Sequence, residues 1–285
     1  MVQAEEHVGY SIENFNNCEN IPDKAKVAFF TYGRFQPGHR GHEKMIMTLL
    51  DVAMKHNLRT GINITPEKTN VYVFVSPSGG PKEKNLQKNP LSPNQKVDLL
   101  QKQYVGYPIH FINMGEAKAK GQSAGPGGAA VLIKQCYSNA IILVGEDRVE
   151  MAKLMLNYGL TYYEFAKRPE DAMSATQLRQ AAVDNNDDAF NNGIQFGAVT
   201  PSHANEIKRM IRAAKMKSRI KQLKKSKRVK SKRVSKGGKR KTRRKRRKTR
   251  KRRRKKRTKK KTRRKRRKSR KRKTKRRRKK KTRKR

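Results

Sequence analysis

The sequence predicts an α/β domain on a parallel sheet, followed by a disordered basic tail, and three observations carry that expectation. Short runs of β-branched and aromatic residues alternate with stretches of helical periodicity. One run, Val71-Tyr72-Val73-Phe74-Val75, is almost wholly apolar, as strands covered on both faces of a parallel sheet are. Charge is the third observation. Of 76 Lys and Arg, 49 fall in residues 221–285, which hold no Asp or Glu, leaving 27 basic and 21 acidic side chains for the first 220 residues. A mildly basic chain of roughly two hundred residues, long enough for one α/β core, therefore precedes a polycation.

The elements follow in order. Residues 1–24 are polar, with Asn14, Asn16, Asn17 and Asn20 opposing a long helix, and read as an irregular extension. Strand Val27–Tyr32 leads into Gly33-Arg34-Phe35-Gln36-Pro37-Gly38-His39-Arg40-Gly41-His42, after which Met45, Leu49, Leu50, Val52 and Ala53 set a helix to about His56. A loop covers Leu58–Asn70, and the second strand follows. Ser76–Pro81 is a loop leading to Lys88–Lys96, within which Ser92 is an N-cap and Pro93 the first position of a helix to Gln103. Strand Ile109–Asn113 comes next. Gly115–Gly128 lacks the Gly-Lys-Ser/Thr ending of a P-loop and reads as a flexible loop. A helix to about Tyr137, strand Ala140–Val144, helix Val149–Asn157 and strand Thr161–Ala166 complete the alternation. Pro201-Ser202 opens a weak helix with Ile207, Met210, Ile211 and Ala214 on one face, closing a domain of residues 25–214.

The chemistry gathers at strand-to-helix turns. Backbone N–H groups at a helix start favour an anion, and His39 and His42, three apart with Gly41 between, can aim two imidazoles at it. Gly33, Arg34 and Phe35 precede them as phosphate- or nucleotide-contacting candidates. Met173-Ser174-Ala175-Thr176-Gln177-Leu178-Arg179 reads as a second anion site: Ser174 is an N-cap, Thr176 offers a hydroxyl, and Arg179 reaches back over the same turn. Gly145-Glu146-Asp147-Arg148 follows a strand. Gly145 permits close approach, and Asp147 takes a ribose hydroxyl, anchors a neighbouring loop or caps the next helix. Ligands of open α/β sheets bind beyond the carboxyl ends of the strands, so Ser76, Asn89 and Lys96 face the same region.

Gly-Arg-Phe-Gln-Pro-x-His-x-Gly-His resembles the signature of the HxGH nucleotidyltransferases, and most closely the archaeal-type nicotinamide mononucleotide adenylyltransferases. Asn89-Pro90-Leu91, Gly145-x-Asp147 and Ser174-x-Thr176-x-x-Arg179 recur in the order that superfamily shows, over roughly residues 26–185. The resemblance implies a doubly wound, Rossmann-like sheet and one reaction. In it a phosphate monoester attacks the α-phosphorus of ATP or CTP and pyrophosphate leaves, with Mg²⁺ carried on the nucleotide phosphates. It also implies catalytic roles for His39, His42 and Arg179 and an acceptor-side place for Ser76, Asn89 and Lys96. The chain departs from the pattern at Gln95-Lys96, where Glu-Arg is usual, at Met173, where Ile is usual, and in having no Trp.

Residues 215–285 read as a disordered tail that cannot bury a core and pairs with nucleic acid by releasing counterions, without base stacking, since no aromatic side chain interrupts it. The same residues suit a nuclear or nucleolar address, and so basic a tail on a metabolic-type domain points to a large DNA virus or phage-like source. A scaffold that binds nucleotide without turnover, and nucleic acid through its tail, is the alternative function. Cys18 and Cys136 make no framework, and Cys136 reads as a buried thiol unpaired with Cys18. The expected setting is intracellular and reducing: host cytoplasm, nucleus or virion. No apolar run is long enough to span a bilayer, so no membrane partner is expected.

Overall fold

The computed structural model describes residues 11–79, 83, 85–145, 148–160, 162–166 and 173–237. Two compact units are distinguished, Met1–Lys221 and Gln222–Arg285. In the first, strands β1 (Val27–Gly33), β2 (Val71–Val75), β3 (His110–Asn113), β4 (Asn139–Gly145) and β5 (Tyr162–Ala166) form one parallel sheet in the order β3-β2-β1-β4-β5. The chain winds outward from β1 through β2 to β3, then crosses back to β4 on the other side of β1 and outward to β5, which makes the fold doubly wound. The strand order reverses between β1 and β4, the crevice where such sheets bind ligands.

Strand parity divides the core. Ala28, Phe30, Tyr72, Phe74, Ile142 and Val144 face helices α1 (Ile12–Asn16), α4 (Met114–Ala119), α5 (Pro126–Cys136) and α6 (Val149–Leu156). Phe29, Val71, Val73, Val75, Phe111 and Leu143 face α2 (Arg40–Thr60) and α3 (Pro93–Gln103). Successive side chains of a strand point to opposite faces, so one alternating register supplies both layers. A third cluster joins Leu91 and Leu99 to α7 (Ala175–Asp184), α8 (Asp187–Ile194) and the first turns of α9 (Pro201–Gly237).

Several expectations need correction. Helix α2 continues to Thr60, where Gly61 at φ 68° ends it. Residues 114–119 are helical, so the glycine-rich loop shrinks to the link before Pro126. The segment expected as an extension carries α1, whose Ile12 and Phe15 are buried under the sheet. Cys18 and Cys136 are bonded to each other, their Cα atoms 5.5 Å apart. Docking of α1 on α5 brings together cysteines 118 residues apart in sequence. The reading of Cys136 as a buried free thiol falls, and the argument for a reducing compartment falls with it. Residues 215–237, placed in a disordered tail, are helical as the continuation of α9, while residues 238–285 lie outside the described residues. Among the described residues no helix is long and apolar enough to cross a membrane.

Candidate active site

The turn between β1 and α2 lies at the strand-order reversal, beside Gly145 at the end of β4. Phe35 there adopts φ 44°, a left-handed conformation unusual for a bulky residue, and its ring is wholly buried. A Cβ at Gly33 would lie 2.6 Å from that ring. Gly33, expected to admit a phosphate, thus makes room for Phe35, and Phe35, expected to touch nucleotide, is a buried support. Its ring centroid lies 4.8 Å from that of His42, which lies 4.0 Å from that of His39.

His39 caps α2. Its Nδ1 accepts from the Gly41 N–H at 3.0 Å, which in the neutral ring leaves the proton on Nε2 as a donor. Its carbonyl accepts from the His42 N–H at 2.7 Å and the Glu43 N–H at 3.2 Å. The Gly41 and His42 amides, expected to be open to an anion, are therefore engaged by His39. What this turn offers to a ligand is two adjacent imidazoles.

Arg179 is brought to the same turn from α7. It donates from Nη1 to the Gln36 carbonyl at 2.6 Å and from Nη2 to Thr176 Oγ1 at 3.1 Å. Ser174 and Gln177 form a reciprocal capping box, which fixes the first turn of α7. Partial burial, and then the nearby Arg34 charge, hold the Arg179 guanidinium below its usual pKa. Arg34 is exposed and sits close enough to disfavour the charge on both Arg179 and Lys96. Cations held side by side favour an anion between them. Asp147 lies outside the described residues.

The acceptor-side candidates separate. Lys96 is fully buried beneath the segment after β2, donating to the Ser76 carbonyl at 2.5 Å, the Ser78 carbonyl at 2.9 Å and Ser76 Oγ at 3.3 Å. Burial lowers its pKa to about 7, opposed by Glu83 and assisted by Arg34. It is an internal strut, not a phosphate ligand. Ser76 is buried with it and hydrogen-bonds to Ser78 Oγ at 2.7 Å. Asn89 is half-buried, with a side-chain oxygen that has no hydrogen-bond partner among the described residues.

Three polar residues that sequence reasoning passed over assemble the site. Gln36 Nε2 donates to the carbonyls of Leu91 at 2.9 Å and Ser78 at 3.0 Å, while its Oε1 accepts from the Leu91 N–H at 2.9 Å. Arg40 donates from Nε to the Asn192 carbonyl at 2.7 Å, and its guanidinium lies 5.8 Å from the Phe196 ring. Gln103 Nε2 bridges the carbonyls of Gly38 and Ile194 at 3.3 and 3.2 Å. The Gln36 side chain ties the Ser78 and Leu91 segments to the turn, while the Arg40 and Gln103 bonds fasten the end of α8 to the start of α2.

Chemically the arrangement can bind and stabilise an oligophosphate: imidazole donors, the anchored Arg179 guanidinium and the exposed one of Arg34. Among the described residues no group of three or more His, Cys, Asp or Glu could hold a metal ion. The charged side chains gathered at this turn are cationic.

No protein-family model and no curated protein matches the chain. Among solved structures, one from Vibrio parahaemolyticus described as a putative nicotinate-nucleotide adenylyltransferase is similar, with 15% identity, coverage of 64% of this chain and 99% of that one, and a TM-score of 0.42. That likeness carries no argument about activity.

Proposed function

We propose that the domain is a nucleotidyltransferase that moves a nucleoside monophosphate from ATP or CTP to a small phosphate monoester. The observation that carries this reading is the pairing of His39 and His42 at the head of α2, with Arg179 anchored to the same turn at Gln36. A phosphate-monoester oxygen attacks the α-phosphorus, the bond to the bridging oxygen breaks, and pyrophosphate leaves with the electron pair. Charge accumulates on the nonbridging and leaving oxygens, so positioning and electrostatic stabilisation suffice and no covalent intermediate is required. His39 Nε2–H and the His42 ring donate to the triphosphate, and Arg34 and Arg179 balance its charge. Mg²⁺ carried on the phosphates would neutralise part of that charge.

Nicotinamide mononucleotide with ATP is the proposed substrate pair, on the Gly33–His42 and Asn89–Leu91 sequence patterns. The run of Lys and Arg after Lys221 supports a second role, a sequence-independent tether to nucleic acid. The enzyme domain proposed takes in α1 and ends near Lys221, and the tether is residues 222–285.

The test is pyrophosphate release by the full chain with Mg²⁺, crossing ATP and CTP with nicotinamide mononucleotide, phosphopantetheine, FMN, glycerol phosphate and choline phosphate. One pair should give turnover that falls about 10²–10³-fold in His42→Ala, the scale for loss of one preorganised donor. Undiminished turnover in His42→Ala, with melting unchanged, would remove the assignment.

A further inference from the structure

We infer that Gln36 is the positioning residue of the acceptor half of the site: it fixes the Ser78 and Leu91 backbones against the nucleotide-binding turn. The inference rests on the nucleotidyltransferase reading. The side-chain amide pairs with Leu91 as a neighbouring strand would, accepting from its N–H and donating to its carbonyl, both at 2.9 Å. The same Nε2 reaches the Ser78 carbonyl at 3.0 Å, so one amide joins positions 13 residues apart in sequence. Two further observations show that the junction is built. Gly79, at φ 109°, packs so closely that a Cβ there would lie 1.7 Å from the Leu91 carbonyl oxygen and 2.9 Å from Gln36 Nε2. Lys96 Nζ, donating at 2.9 Å, shares the Ser78 carbonyl from below.

The backbone of Gln36 does separate work. Its carbonyl takes Arg179 Nη1 at 2.6 Å, on the side of the triphosphate. A side-chain substitution therefore leaves the Arg179 anchor in place and frees Leu91, two residues from Asn89. Donor and acceptor binding should come apart in such a variant, which a general loss of packing would not produce.

Steady-state kinetics of the full chain with ATP as donor and nicotinamide mononucleotide as acceptor probe separate the two, alongside equilibrium binding of ATP. Gln36→Met should raise the acceptor KM about ten- to a hundredfold, the scale on which small misplacements act, and leave ATP binding within about twofold. Gln36→Glu keeps the shape and decides the matter if the Met variant does not fold. Its ionised carboxylate opposes the two carbonyls, whereas the protonated acid restores one donor and one acceptor. Acceptor KM in Gln36→Glu should fall toward the unsubstituted value as pH is lowered from 8 to 5.5, relative to the same titration of the unsubstituted chain. Equal losses for ATP and acceptor, or an acceptor KM unmoved in Gln36→Glu at pH 8, overturn the inference while turnover of the unsubstituted chain upholds the enzyme. An unsubstituted chain that neither binds ATP nor releases pyrophosphate overturns both.

Discussion

Replacing Gly33 by alanine puts a methyl group where the Phe35 ring lies. The added carbon would stand 2.6 Å from Phe35 Cε2, 2.7 Å from Cζ and 3.2 Å from Cδ2. Carbon atoms rest about 3.5–4.0 Å apart, so the ring must move by about 1 Å in a wholly buried site. Overpacking of this kind costs about 1–3 kcal/mol. Alanine in a strand recovers about 0.5–1 kcal/mol of the backbone entropy that glycine loses. The net loss is about 0–2.5 kcal/mol, a fall in Tm of up to roughly 10 °C for a domain of this size. Because the Phe35 ring lies against His42, turnover should fall with stability, about tenfold or more, while the ATP phosphates keep their cationic partners. Thermal melting and pyrophosphate release measure the two effects, and Gly33→Ala combined with Phe35→Leu tests their common cause. Relief of the clash should make the double variant more stable than the two single losses add up to, by about 0.5–3 kcal/mol. An unchanged Tm with weakened ATP binding would refute the reasoning and return Gly33 to the role of admitting a phosphate to the backbone.

Lys96 links stability to pH in a window its pKa defines. Folded, it titrates at about 7, against an ordinary lysine value of 10.5, so between these values the unfolded chain binds the extra proton and stability rises with pH. The contribution approaches about 1.4 kcal/mol per pH unit. Denaturant titrations from pH 7 to 9.5 should show this rise and its disappearance in Lys96→Met; equal slopes would show that the ammonium is not desolvated. The upper limit matters because burial raises the Tyr32 pKa to about 12 and that of Tyr104 further, effects that oppose folding as pH climbs past 10. The basic tail makes a different prediction for the full chain. Its affinity for duplex DNA should fall about 10³-fold or more between 50 and 200 mM salt, as neutralising six to ten phosphates requires. A change below tenfold in an equilibrium titration would exclude a counterion-release tether.

Much of the fold was legible because it is written locally. The parity of Phe29 and Phe30, and of Tyr72, Val73 and Phe74, marks strands covered on both faces, and Ser92-Pro93 and Ser174-Ala175 announce helix starts by their capping chemistry. The histidine pair and Arg179 were legible as residue types in a pattern. Their settings were not. Whether Gly33 makes room for a ligand or for Phe35 depends on a left-handed φ that no composition reveals. Lys96 reads as a phosphate ligand until its amine is found to donate to main-chain oxygens of a segment 18 to 20 residues earlier. Helix α1 hid among asparagines because its burial depends on α5, and the cysteine pair hid with it. Gln36 escaped because its partner, Leu91, offers only backbone to recognise.

The fastenings around the site share one property: each is a side-chain donor meeting a main-chain carbonyl. Gln36 reaches Leu91 and Ser78, Arg40 reaches Asn192, Gln103 reaches Gly38 and Ile194, Lys96 reaches Ser76 and Ser78, and Arg179 reaches Gln36. A carbonyl is supplied by every amino acid, so the two ends of each link carry unequal information. The donor end is exacting about residue type, whereas the receiving end asks only for a backbone of the right path. Mutational tolerance around this site should accordingly be lopsided, steep at positions 36, 40, 96, 103 and 179 and shallow at 78 and 192. Neutral drift could then rewrite the receiving segments while the scaffold keeps its shape.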